Sequence, residues 1–141
     1  MNKKEILLLG LKGGYRFSPV QVQKLFFLID KNIAPQIGGP FFNFSPYDYG
    51  PFDKAVYNEL SLLKEDGLVE VSGNTNPSQR YYYLSKAGEE KAGDILKRQQ
   101  SQVVDYITAL SIFVRSLSFK ELVSAIYKAY PDMKINSIFA E

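Results

Sequence analysis

The sequence predicts an α+β, mainly helical protein: a winged helix-turn-helix with a long insertion before its recognition-like helix and further helices at the C-terminal end. Two observations carry this reading. Residues 52–92 read FDKAVYNELSLLKEDGLVEVSGNTNPSQRYYYLSKAGEEKA, where a helical pattern, a β-rich run, a polar tip, a second β-rich run and a new helix start follow at short intervals. Elsewhere the apolar residues recur at helical spacing, giving about six helices around one small hairpin.

Taken in order, Lys3–Lys12 sets Ile6, Leu7, Leu9 and Gly10 on overlapping faces, a short buried helix ended by Gly13-Gly14. Ser18 caps the next helix, with Pro19 at its first position, where the missing N–H is no loss. Val20, Leu25, Phe26, Phe27, Leu28 and Ile29 give it the broad apolar stripe of a central helix. Lys24 and Lys31 are expected to face water, and Ala34-Pro35 to end the helix. Phe41–Phe44 reads as a short strand, followed by Ser45-Pro46-Tyr47-Asp48-Tyr49-Gly50-Pro51-Phe52.

Asp53 then caps a helix through Asp66 whose buried face is Val56, Leu60 and Leu63. Gly67 supplies its left-handed stop. Leu68–Val71 and Tyr81–Leu84 are the strands of the wing, and nearly every residue between them is a turn former. Ser85 caps a polar helix towards Gln100, with Gly88 standing where a capping box would have Glu. Val103–Leu117 carries Val103, Ile107, Leu110 and Val114 at helical spacing. Ser118 caps a last helix holding Leu122, Val123, Ile126 and Tyr127, closed by Tyr130-Pro131, and the apolar tail 133–139 is expected to dock on the body. The expected organisation is one domain over 1–141, with a winged-helix core in 1–100 and a helical extension in 101–141.

Composition excludes several kinds of chemistry. With no His and no Cys among its 141 residues, the chain has no imidazole base, no thiol nucleophile and no zinc site built from either. No disulfide framework points to secretion, and Ile6–Leu9 is too short to span a bilayer, so a cytoplasmic protein away from membranes is expected. The formal charge is only +2. It is uneven, with six basic and three acidic residues in 1–52 against seven and eight in 53–100. A polyanion footprint would therefore be modest and would favour the N-terminal third.

No catalytic constellation emerges. Glu65-Asp66 and Glu89-Glu90 are adjacent pairs whose members point in different directions on a helix, so each reads as a solvated face. Gly10-Leu11-Lys12-Gly13-Gly14 lacks the Gly-Lys-Ser/Thr ending of a phosphate loop and follows a helix, so it reads as a turn. The expectation is a non-enzymatic protein with no cofactor and no metal.

Two binding surfaces remain. One is double-stranded DNA on the helix 53–66 and the wing, where Lys54, Asn58, Ser61, Lys64 and Arg80 would supply contacts, with Asn74, Asn76 and Gln79 as uncharged donors. Asp53, Glu59, Glu65 and Asp66 oppose a phosphate surface there. The other is the insertion. A helix-turn-helix joins its helices by a turn of about three or four residues, whereas Pro35 to Phe52 intervenes here. Its end, YDYGPF, concentrates Tyr47, Tyr49 and Phe52, rings suited to a core lid or to a protein interface.

The order QKLFFLID, FFNFSPYDYGPFDKAVYNELSLLKEDGLVEV, YYYLSKAGEEKA resembles the Panacea (SocA-type) antitoxin domain and its winged-helix relatives. The resemblance covers about Leu7 to Ala92 and rests most on Gln23-Lys24-Leu25, Tyr49-Gly50-Pro51-Phe52 and Gly67-Leu68-Val69. Ile126-Tyr127, Tyr130-Pro131 and Asn136-Ser137 extend it. It implies a regulatory protein that binds a partner protein, as antitoxins that neutralise a toxin or present it to a protease do. A homodimer through the apolar C-terminal helices, Phe113 included, is the expected assembly.

Overall fold

A computed structural model describes residues 1–73 and 79–140. The protein is α+β and mainly helical. Among the described residues the elements are α1 (Lys3–Leu11), α2 (Pro19–Ile37), β1 (Ser45–Tyr47), β2 (Gly50–Phe52), α3 (Lys54–Glu65), β3 (Val69–Ser72), β4 (Tyr81–Leu84), α4 (Lys86–Lys97), α5 (Ser101–Ser116), α6 (Phe119–Ala129) and a short 3-10 helix (Pro131–Lys134). The strands form two separate antiparallel pairs, β1 with β2 and β3 with β4. Asn74 and Asn76 lie outside the described residues.

Caps fix most helix starts. Asn2, Ser18 and Ser118 each build a capping box with Glu5, Gln21 and Glu121, so side chain and backbone satisfy each other across the first turn. At the exposed Glu121, the Ser118 N–H and hydroxyl hold the carboxyl below its usual pKa. The Ser85 hydroxyl donates to the Gly67 carbonyl at 2.6 Å and accepts from the Gly88 N–H at 3.0 Å. One serine therefore ties the end of α3 to the start of α4. Gly88 is required there, because a Cβ would run into the Leu68 carbonyl.

The core forms around α1 and α2. Ile6, Leu7 and Leu8 are buried with Phe17, Phe26, Phe27 and Ile29, and the same cluster takes in Val56 and Leu60, Val69 and Leu84, Ile95, Ile107, Val114 and Leu122. Each such side chain contributes roughly 1.5–3 kcal/mol relative to exposure. The C-terminal helices thus complete the core, with α5 packed on both α1 and α2. Phe17 adds a single antiparallel bridge beside β4, exchanging bonds of 2.9 and 2.8 Å with Tyr82.

Several expectations are corrected. Phe41–Phe44 forms no strand: the Phe41 and Phe42 N–H groups donate to the Asp30 carboxylate at 3.0 and 2.9 Å, and pairing begins at Ser45. Burial holds the Asp30 carboxyl above its usual range, and those two N–H groups oppose the shift. α2 runs through Pro35 to Ile37, because the bond lost at Pro35 falls in the last turn, ahead of a left-handed Gly38. Glu89 does not simply face water: it accepts from Gly13 at 3.1 Å and Gly14 at 3.0 Å, fastening α4 to the turn after α1. The tail docks only in part, with Met133 buried and Ile135 and Ile138 exposed. Lys24, expected in water, is buried.

Candidate functional site

The burial of Lys24 follows from the insertion. β1 and β2 form a three-pair hairpin, with Ser45 opposite Phe52, Pro46 opposite Pro51 and Tyr47 opposite Gly50. This hairpin lies on α2 and covers the face that carries Gln23 and Lys24. Gly50 has φ 106°, a conformation open chiefly to glycine, and Tyr127 and Lys24 crowd the place where a Cβ would stand. Pro51 then fixes the direction of the chain into α3.

Gln23 locks the junction. Its side-chain carbonyl accepts the Asp53 N–H at 2.9 Å and its amide donates to the Asp53 carbonyl at 3.0 Å. The Asp53 carboxylate in turn caps α3 through Ala55 at 2.9 Å and accepts the Asn43 N–H at 2.7 Å. The C-terminal tail braces the hairpin from the other side. The Ile138 N–H donates to the Asp48 carbonyl at 3.0 Å, and Asn136 donates to the Pro46 carbonyl at 3.3 Å. Tyr127 donates to the Ser137 hydroxyl at 2.6 Å.

Beneath the hairpin is an open cavity of about 190 Å³ walled by Val20, Tyr47, Tyr49, Phe52 and Tyr57, with Lys24 among its lining residues. Lys24 is only 3% exposed, and among the described residues its amine has no hydrogen-bond or ion-pair partner. Every sealed polar side-chain atom among those residues does have a partner, so the amine must touch the free space of the cavity. Burial lowers its pKa from 10.5 to about 7. Burial, reinforced by nearby Tyr82, also pushes the Tyr57 hydroxyl up to about 12, where it stays a donor, to the Pro19 carbonyl at 3.2 Å.

Around the mouth the aromatic residues form a chain of contacts. Tyr47 is 53% exposed and sits 5.0 Å from Phe52, which meets Tyr57 at 5.8 Å. Tyr57 stacks on Tyr82 at 6.0 Å, while Tyr49 packs edge-on against Phe119 at 5.1 Å. The structure therefore brings the motif residues Gln23, Lys24, Tyr49, Gly50, Pro51 and Phe52 together at one corner. Sequence reasoning missed Asp30 and Tyr57 in this region; it singled out the Asn136-Ser137 pair but gave it no bracing role.

The DNA-directed residues sit elsewhere. Lys54, Asn58 and Ser61 are exposed along one stripe of α3, which Glu65 extends, with exposed Lys64 on its flank; Arg80 is half-buried at the start of β4. Arg16 adds a cation next to β3–β4, over the Tyr83 ring at 4.4 Å. Among the described residues there is no cluster of His, Cys, Asp and Glu fit for a metal and no helix long and apolar enough to cross a membrane. Compared with family models, curated proteins and solved structures, the chain matches none.

Proposed function

We propose that the protein is a non-enzymatic regulator of the antitoxin type, built on a winged-helix arrangement, that binds a partner protein through the β1–β2 corner. In this reading β3–β4 is the wing, α3 occupies the recognition position, and the insertion has become the interface. One observation carries it: Tyr47, Tyr49 and Phe52 stand partly exposed around a cavity on a hairpin braced from both α2 and the C-terminal tail. Rigid aromatic groups at a pocket mouth are the side chains that dominate protein interfaces.

Photocross-linking from position 47 in cells, followed by reconstitution with the captured protein, tests this. The complex should form with purified components, persist at high salt and be lost in Tyr47→Asp and Tyr49→Asp variants that still fold. A complex indifferent to both substitutions overturns the reading.

The exposed stripe Lys54, Asn58 and Ser61 favours a second reading, double-stranded DNA on α3 with Arg80 and Lys64 at its flanks. Such binding would weaken steeply with salt, unlike an aromatic interface. Self-association is part of the proposal. Six of the C-terminal apolar residues complete the core (Ile107, Val114, Leu122, Val123, Ile126 and Tyr127), but Tyr106, Leu110, Phe113 and Leu117 form a part-exposed stripe along α5 with a coiled-coil-like spacing.

A further inference from the structure

Lys24 is an anomaly on physical grounds. Nearly all lysines keep the ammonium in water, and a buried one is normally paired. Here the side chain is covered by a hairpin whose Gly50 lets the backbone pass against it, and no carboxylate among the described residues answers its charge. The titratable groups around it are Tyr47, Asp48, Tyr49 and Tyr57 in the cavity lining, with Tyr127 beyond Gly50. Asp48, the acid among these lining residues, makes no ion pair with it.

We infer that the cavity under the β1–β2 hairpin is a carboxylate-binding site whose cation is Lys24, and that the carboxylate is an acidic side chain of the partner protein. Three observations set the class of ligand. Among the described residues Lys24 is the only basic residue lining the cavity, and Asp48 is the only acid there, so at most one positive charge is available, which a carboxylate matches and a phosphate dianion exceeds. A cavity of about 190 Å³ has room for an acidic side chain. The mouth is framed by Tyr47 and Tyr49, which a free small molecule would leave in water and a protein surface would cover. The source of the carboxylate rests on the protein-binding reading above; the site itself does not.

Binding would restore the missing counter-charge, so it is accompanied by proton uptake when Lys24 starts neutral. The test uses N-acetyl-glutamate N-methylamide as the probe and its glutamine counterpart as control, followed by NMR at the Lys24 side chain and the Gly50 amide. The expected result is saturable shifts with a Kd on the order of 1–10 mM, at least roughly tenfold weaker for the glutamine probe, and weaker binding as pH rises above 7. Lys24→Met should abolish the shifts; the glutamine comparison and the pH series need no variant. Equal binding of both probes, or no shift from either, overturns the inference. If the glutamate probe binds but no complex depends on Tyr47 or Tyr49, the carboxylate site stands and the protein-docking reading fails. If the complex depends on those tyrosines while the probe does not bind, the reverse holds.

Discussion

The side chain of Gln23 acts as a backbone partner for Asp53, accepting its N–H at 2.9 Å and donating to its carbonyl at 3.0 Å. Gln23 is 2% exposed, so these bonds have no ready substitute from water. Through them the second turn of α2 fixes the N-cap of α3 and the exit of the β1–β2 hairpin. Gln23→Leu keeps the approximate volume but strands the Asp53 N–H, while the Asp53 carbonyl keeps only the Val56 N–H at 3.1 Å. It should cost about 2–3 kcal/mol, read as a lower urea midpoint with unchanged slope. A loss below about 0.5 kcal/mol would show that the junction does not depend on Gln23.

Lys24 makes the protein's stability depend on pH. With a folded-state pKa of about 7 against 10.5, the unfolded chain binds more protons between those values, so stability rises with pH across that window. The penalty is fully present below pH 7 and fades towards 10.5. Tyr57 works in the opposite direction above pH 10, because its folded form stays protonated to about 12. Denaturation between pH 7 and pH 10 therefore isolates the lysine. Lys24→Met should be more stable than wild type at pH 7 and should lose most of the rise.

Two glycines of α4 should respond oppositely to alanine. At Gly88 the new methyl group meets the Leu68 carbonyl, whereas at Gly93 it meets nothing. Gly88→Ala should cost about 2 kcal/mol or more, and Gly93→Ala should stabilise by roughly 0.5–1 kcal/mol. Thermal unfolding of the pair checks both, and a tolerated Gly88→Ala would contradict the close approach of α4 to the Leu68 carbonyl ahead of β3.

The stripe on α5 gives a prediction for assembly. Phe113, 40% exposed, lies at its centre, so Phe113→Glu should convert a dimer into a folded monomer in light scattering. A wild-type protein that is monomeric at high concentration and low salt contradicts the proposed dimer.

What was legible in the sequence was what local chemistry decides. Ser18, Asp53, Ser85 and Ser118 announce their helices because a cap needs a particular side chain at one position, and Gly67 marks a turn because its left-handed backbone favours glycine. The unusual end of the insertion was visible in Tyr49-Gly50-Pro51-Phe52. What lay hidden depends on distant partners. Nothing within α2 reveals that Lys24 is covered, because the covering hairpin lies more than twenty residues further on. Glu89 looks like one of two solvated acids until Gly13 and Gly14 are brought to it. Phe41 and Phe42 look like a strand until Asp30 takes their N–H groups.

An unpaired amine is held beneath the aromatic hairpin, and titration of the Lys24 side chain by carbon NMR tests this arrangement. The expected midpoint in the free protein is near pH 7. A midpoint near the ordinary 10.5 would show that the hairpin does not desolvate the amine or that a counter-ion pairs with it, and would contradict this.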